Sequence, residues 1–517
     1  MPEVISSYCI LIFLVPALTS LLILLAGKVP SVSRLLAFIG MSVTFIMTSI
    51  VFFESQTKVL TALNNQLRID SLSGLLNGLI GLIGLIVIIY SFPYLKLEKN
   101  KGIIQERKIR SFYWQTMLFI STMLVAVSTN NIILLWVIIE ATTLGSALLV
   151  AFYWNKNALE AGYKYLMLLT VGISFALFGC VIIYSGVASH VANGADPLQI
   201  TIISSVVKQG MIAGNIILLA AVFFIVGFGT KAGIAPFHAW LPDAHAEAPT
   251  PISALLSGVM IKVGIYALIR TIAVFYSIYS TISLFVTILG IFTMLLGVFM
   301  MFFQENLKRF LAYSSVNHVG YIVMGFGLAG SISPSASDPA NNGAYLGMYG
   351  ALFHMLNHGI IKSLLFLSAG AIIYATGIRK IDELGGLSKK MPVTSFCFFI
   401  GSFAICGVPL LNGFMSKFTL FLAGAAIPGM LWTTIIAIIS SIMALALYMH
   451  VAYRIFMGPM PEDIKKIDIK EVPASMWSGM LVLSLICFGL GIFPQLIYPI
   501  LDKATHVVLA LIAKGSL

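Results

Sequence analysis

The chain has 517 residues, of which 59% are hydrophobic and only 9% charged. A soluble domain usually carries about a quarter charged residues, so this composition excludes a water-facing globular surface and leaves lipid to cover most of the molecule. The net charge of +11 would suggest nucleic acid in a soluble protein; here its placement along the chain assigns it to membrane topology, and no nucleic-acid partner is expected.

Windows of about 20 apolar residues predict fourteen spans. The first seven cover Tyr8–Ala26, Leu35–Phe53, Leu72–Phe92, Phe112–Ser128, Ile132–Phe152, Tyr163–Ser185 and Ile216–Gly233. The other seven cover Ile252–Phe275, Ile282–Phe303, Phe310–Gly330, Leu346–Ala375, Phe396–Leu422, Leu431–Phe456 and Trp477–Pro494. With the N-terminus outside, the inner loops collect Lys28 and Arg34, the run from Lys96 to Arg110, Lys156 and Lys164, and Lys308 and Arg309. They also take Arg379, Lys380, Lys389 and Lys390, then Arg454, Lys465, Lys466 and Lys470. Lys58, Arg68, Lys208, Arg270, Lys503 and Lys514 fall outside. This bias predicts a multi-pass protein of the cell (cytoplasmic or inner) membrane with both termini on the outer face. The leader carries Glu3 and no basic n-region, so the first span is expected to be retained. The five cysteines are scattered singly, which implies neither an iron–sulfur cluster nor a structural zinc in this chain.

No polar stretch is long enough for a separate core, and the chain reads as one membrane domain. Two spans are interrupted alike. The seventh reads GFGTKAGIAPFHAWLP, with Lys231 before Pro236; the twelfth reads ICGVPLLNGFMSKFTLF, with Pro409, Asn412 and Gly413 before Lys417. Proline in mid-span removes a backbone bond, tolerated in a membrane where the backbone faces protein or a cavity. Paired interruptions point to inverted-repeat transport architecture; the alternative is two ordinary kinks.

A charge at the bilayer centre costs about 2.5–3.5 kcal/mol on insertion scales. Glu140, Lys231, Lys262, Lys362 and Lys417 all sit inside spans, which reads as a path for ions or protons. If Glu140 approaches a lysine, the pair gains roughly 4 kcal/mol at about 4 Å and an effective dielectric near 20. That is of the size of the desolvation cost, and near-cancellation suits a switch. The alternative is a structural buried pair, which four lysines for one acid make harder to satisfy. His354, His358 and Lys362 follow at i, i+4 and i+8 on one helix face, about 6 Å per step, a spacing that suits a proton wire. Metal or haem ligation and plain structural histidines are the alternatives. His238, His245, Asp243 and Glu247 flank the first break as a candidate proton entrance, or as a solvated loop. His318 and His450 stand too isolated in sequence for an assignment.

Three motifs carry a resemblance: GTKAGIAPFHAWLPDAHAEAPTPISALLSG, NLKRFLAYSSVNHVGY and FHMLNHGIIKSLLFLSAG. They closely resemble the antiporter-like subunits of respiratory complex I and their relatives, the Mrp-type sodium/proton antiporters and the membrane arms of energy-converting hydrogenases. The resemblance runs from about Phe112 to Phe456. It implies an all-α polytopic membrane protein of about fourteen transmembrane helices with two inverted five-helix repeats, the seventh and twelfth helices broken. On that pattern the first three helices occupy residues 1–111, the repeats 112–275 and 282–456, and the last helix with a C-terminal tail 475–517. Glu140 matches the glutamate of the fifth helix, Lys231 the broken-helix lysine, and Lys262 the bridging residue. His354, His358 and Lys362 match the central relay and Lys417 the terminal position, where some relatives carry glutamate.

The function this implies is proton translocation by one subunit of a multi-subunit redox-driven complex, with no cofactor and no catalytic site in this chain. Iron–sulfur clusters, with nickel–iron as a further option, are expected in peripheral redox partners, alongside other membrane subunits. The competing reading is an Mrp-type Na+/H+ antiporter subunit. A bound sodium ion needs several hard oxygen ligands, and an axis of four lysines and one acid repels one. A stand-alone transporter of an organic solute would need a cluster of anchoring groups that the lysine axis does not offer.

Overall fold

The computed structural model describes residues 2–26, 29–191, 194–331, 342–466 and 468–513; Lys28, Lys514 and most of the polar stretch after the tenth span lie outside them. Every predicted window lands on helix. In chain order these are α1 (Pro2–Ala26), α2 (Pro30–Glu54), α3 (Ser71–Asn100), α4 (Glu106–Ala126), α5 (Ile132–Val150), α6 (Lys156–Val187), α7 (Ile200–Lys208) and α8 (Gly214–Ala232). There follow α9 (Trp240–Glu247), α10 (Thr250–Leu255), α11 (Ile261–Tyr276), α12 (Ser280–Met301), α13 (Leu307–Leu328) and α14 (Gly343–Thr376). The last are α15 (Pro392–Cys406), α16 (Asn412–Ala426), α17 (Leu431–Phe456), α18 (Glu462–Lys465), α19 (Ala474–Ile492) and α20 (Tyr498–Ile512).

Eleven helical segments among the described residues are long and apolar enough to cross a bilayer. The three windows outside that set differ for visible reasons. Glu106, Arg107, Lys108 and Arg110 open α4, and α13 carries Lys308, Arg309, Asn317 and His318. The twelfth window is split into two 15-residue halves. Several spans start on an asparagine whose side chain takes the first free backbone N–H groups: Asn131 for α5, Asn306 for α13 and Asn342 for α14.

Composition did not predict every element. A short antiparallel hairpin pairs Leu60–Ala62 with Leu67–Ile69, its turn made by Leu63, Asn64 and Asn65 at positive φ. The segment read as a C-terminal tail forms α20, which packs on α3, α11 and α14. At the centre stands α14, buried along almost its whole length and flanked by α3, α10, α13, α15, α16, α19 and α20.

Where α12 crosses α13 the two backbones touch. A Cβ on Gly297 would stand 2.3 Å from the amide nitrogen of Asn317, and one on Gly320 2.3 Å from that of Met294. Small residues permit this close approach. It sets the depth of α13, so that the Asn317 amide donates to Met294 O at 2.7 Å and to Ser440 Oγ at 2.8 Å. Gly297→Ala should therefore destabilise the protein by about 1–3 kcal/mol through overpacking. Gly145→Ala, which would meet nothing within 4 Å, should be neutral or stabilising by up to about 1 kcal/mol. Comparative unfolding of the two variants in detergent checks the pair.

Candidate functional site

Lys231 lies in the last turn of α8, fully buried. The helix ends beside it because Gly233 adopts φ +74°, and the chain runs without helix through Pro236 to Trp240. Groups freed by the break find partners: Trp240 Nε1 donates to Thr230 O at 2.8 Å, and Ala235 N to Thr293 Oγ1 at 3.1 Å. Lys231 Nζ donates to Thr143 Oγ1 at 2.8 Å, and that hydroxyl donates in turn to Ile139 O at 3.2 Å. Glu140 accepts from Thr170 Oγ1 at 2.7 Å. The expected direct pairing of Glu140 with a lysine is not made; no ion pair within 4 Å includes it among the described residues. The reason is helical phase. Ile139, Thr142, Thr143 and Ser146 form the buried stripe of α5, and Glu140 stands off it, half-buried at the edge of the bundle. Lys231 reaches α5 through the hydroxyl one turn further on.

Lys262 follows a π-helical turn, Leu256–Met260, that joins α10 to α11. Such turns recur at functional sites. The packing is close on both sides: a Cβ on Gly264 would stand 2.7 Å from Ala232 N, and one on Gly359 2.8 Å from Gly258 O. Thus α11 presses against the backbone beside Lys231, while the π turn presses against α14. Lys262 Nζ donates to Ser257 O. Ser257 Oγ meets Ser315 Oγ at 2.8 Å, and Ser315 Oγ donates to Leu311 O at 3.1 Å. That same carbonyl accepts from Lys362 Nζ at 3.0 Å. Lys362 also donates to Tyr448 OH at 3.0 Å, and Tyr448 OH donates to Ser314 Oγ at 2.7 Å. The predicted bridge and the predicted central lysine are thereby joined through α13.

The histidines of α14 gain a third member. His318, unassigned from sequence, places Nδ1 3.0 Å from His354 Nε2, and His354 Nδ1 lies 3.0 Å from Ser416 Oγ. The His318 and His358 rings stack with centroids 5.7 Å apart. Both ring nitrogens of His358 are buried without a hydrogen-bond partner, uncommitted to any structural bond. Tyr321 stacks on His318 at 5.6 Å, and Lys417 Nζ stands 4.8 Å from the Tyr321 ring centre. Lys417 Nζ donates to Ser441 Oγ at 3.0 Å and to Cys406 O at 3.3 Å.

Cys406 O is accessible because α15 stops there, at Gly407 with φ +84°; Pro409 and Leu410 follow, exposed, before α16 begins. Gly413, expected to break the helix, sits instead in the first turn of α16. A Cβ there would stand 1.8 Å from Ala404 O, so this glycine serves close approach of the two half-helices. The restart is clamped to α14: Asn412 Nδ2 donates to Asn357 Oδ1, and Asn357 Nδ2 to Asn412 O, each at 2.9 Å.

The candidate entrance separates into two parts. Asp243 and Glu247 line a cleft of about 410 Å³ with Glu160, Lys164 and Arg309. There Asp243 pairs with Arg309 at 2.9 Å and Lys164 at 3.5 Å, and Glu247 with Arg379 at 3.7 Å. His238 is half-buried against the Tyr313 ring. His245, expected beside them, is fully buried, stacked on Phe366 at 4.8 Å with both nitrogens unpartnered. It therefore belongs to the interior, because α9 turns one face to α13 and the core.

These features define a polytopic helical membrane protein whose interior carries a file of amines, hydroxyls and imidazoles past two broken helices. The chain belongs to the family described as NADH:quinone oxidoreductase/Mrp antiporter, TM, which matches residues 129–444. It is 33% identical over 354 residues to a hydrogenase-4 component F homolog of Methylacidiphilum infernorum, covering 68% of this chain and 71% of that one. It is 31% identical to NADH-quinone oxidoreductase subunit N of Desulforudis audaxviator, covering 83% and 82%. Its fold matches a chain of the Mrp complex from Dietzia sp. DQ12-45-1b with TM-score 0.80 at 20% identity, over 99% of this chain and 100% of that one.

If His318 belongs to the histidine cluster, His318→Ala leaves His354 Nε2 buried and unpaired. It should cost about 1–3 kcal/mol of stability. His450→Ala, distant from the cluster, should cost less than about 0.5 kcal/mol. Parallel unfolding measurements on the two purified variants decide this.

Proposed function

We propose that this chain is a proton-translocating, antiporter-like membrane subunit of a multi-subunit redox-driven complex of the complex I or energy-converting hydrogenase type. Protons move along the file Glu140, Lys231, Lys262, Lys362, His358, His354, His318 and Lys417. The observation that carries the reading is the continuous contact from Lys262 through Ser257, Ser315 and the Leu311 carbonyl to Lys362. The two carbonyls only accept and hold the amines in place, whereas the Ser257 and Ser315 hydroxyls between them both accept and donate and supply the atoms through which a proton passes once the amines turn to them. Asp243, Glu247 and His238 form the entrance on the face with the basic loops, and His245 lies on its inner side.

The finer architecture is part of the same proposal: fourteen transmembrane helices in two inverted repeats, 112–275 and 282–456, each containing one break. The chain sits in the cytoplasmic membrane with both termini on the outer face, as the basic loops support. Names of relatives support the assignment to a complex, a hydrogenase-4 component in one case and an NADH-quinone oxidoreductase subunit in another. Electron transfer, with iron–sulfur clusters and a nickel–iron centre in the hydrogenase case, then belongs to peripheral partner subunits. An Mrp-type antiporter subunit is the second reading, supported by the family description, which names the Mrp antiporter beside the oxidoreductase. Protons remain the ions of the axis in both, because sodium needs several hard oxygens and this file is built on amines.

Lys231→Met and Glu140→Gln should each lower proton movement about 10²-fold or more in complexes that still assemble. Near-normal pumping by either assembled variant sinks the role given to that residue. Purification of the chain with its native partners separates the two readings: co-purifying iron–sulfur subunits support the redox-driven complex, and only small membrane subunits support the antiporter. His358→Ala should slow transport at least about tenfold; an unchanged rate in proteoliposomes returns the α14 histidines to structure.

A further inference from the structure

A cleft of about 530 Å³ opens where the end of α5 meets the first turns of α4, on the face that carries the basic loops. Arg107, Lys108 and Arg110 line one wall; Leu148 and Trp154 line the other. The neighbouring acid, Glu106, is taken by Lys99 at 2.9 Å. Arg107 and Arg110 form no ion pair among the described residues, whereas Arg309 and Arg379 on the same face are matched by Asp243 and Glu247. Lys108 is held in place: its Nζ donates to Phe152 O at 2.8 Å and stands 4.8 Å from the Trp154 ring centre. An ammonium has three donors, so two remain for a ligand. Gln115 lines the floor of the cleft and is 8% exposed. Trp154 and Leu148 are 62% and 47% exposed beside it, an apolar flank of the kind tryptophan supplies at a membrane interface.

We infer that this cleft binds the headgroup of an anionic phospholipid, with phosphatidylglycerol as the probe. The phosphate sits among Arg107, Lys108 and Arg110, whose planar forks and point charge suit it. The acyl chains lie along Leu148 and Trp154. The apolar flank selects a lipid over a soluble phosphate. This site is separate from the proton file.

The test is native mass spectrometry of the full chain in mild detergent, titrated with dioleoylphosphatidylglycerol, dioleoylphosphatidylcholine and glycerol phosphate. The glycerol lipid should bind at least about tenfold more tightly than the choline lipid. R107Q should weaken it about fivefold and R107Q/R110Q about 25-fold, while K389Q/K390Q, on the same face, should leave it unchanged. Lys108→Met gives the same reading should the double variant fail to fold. Equal binding of the glycerol and choline lipids overturns the proposal, as does an equal loss in K389Q/K390Q. So does displacement of the lipid by an equal concentration of glycerol phosphate, which marks a soluble-anion site. An intact complex in which a partner subunit covers the cleft with no lipid retained also overturns it.

Discussion

A helix that no solvent reaches yet carries His354, Asn357, His358, Lys362 and Ser363 imposes the central constraint on this fold. Buried polar groups without partners are costly, so an enclosed helix draws partners from its neighbours. Four helices supply them at defined places, while His358 keeps both ring nitrogens without a hydrogen-bond partner. The first turns of α16 give Asn412 and Ser416, α13 gives His318 and the Leu311 carbonyl, α17 gives Tyr448, and α10 gives the Ala254 carbonyl to Ser363. The glycine crossing of α12 and α13 and the π turn before α11 follow from the same need, since each lets a backbone come close enough to offer its polar atoms.

The choice of partners matters as much as their presence. The four lysines of the file, Lys231, Lys262, Lys362 and Lys417, rest on hydroxyls and carbonyls rather than on carboxylates. A carboxylate at about 4 Å would hold an ammonium by roughly 4 kcal/mol at an effective dielectric of 20, enough to make the proton a fixed part of the structure. A hydroxyl can turn to accept from an ammonium or donate to an amine. Thr143, Ser441 and Tyr448 therefore tolerate either state of the lysine they touch. The breaks serve the same end in opposite ways. Lys231 ends its half-helix just before the first break, whereas Lys417 lies beyond the second and reaches back to the carbonyl that the break exposes.

Much of this was legible in the sequence because membrane burial makes charge conspicuous. A lysine among twenty apolar residues announces itself, and so do proline and glycine inside a span; the windows, the four lysines, Glu140 and the two broken helices follow from that contrast. The connecting groups do not announce themselves. Ser257, Ser314, Ser315, Ser416 and Thr143 are small hydroxyls of a kind that also bond to their own helices throughout this chain, so only packing singles them out. His318 stands 36 residues from His354, and no spacing rule links α13 to α14. Gly413 read as a breaker because close approach and helix termination use the same residue type. His245 read as part of a solvated mouth because Asp243 and Glu247 surround it, while the phase of a two-turn helix sends its ring the other way.

Glu140 is the least comfortable member of the file, and its discomfort bears on assembly. It lies mid-span on α5 but at the bundle edge, between exposed Val137 and Leu144, with one carboxyl oxygen bonded to Thr170 and the other unpartnered. On a surface that faces lipid, an acid in that position is costly. Among the described residues nothing bonds its second oxygen, and Lys231 bonds to Thr143 rather than to this carboxyl. A neighbouring membrane subunit packed on α5 would enclose the carboxyl and give its free oxygen a donor. In that reading the file does not end inside the chain. It continues to the face that such a neighbour would cover.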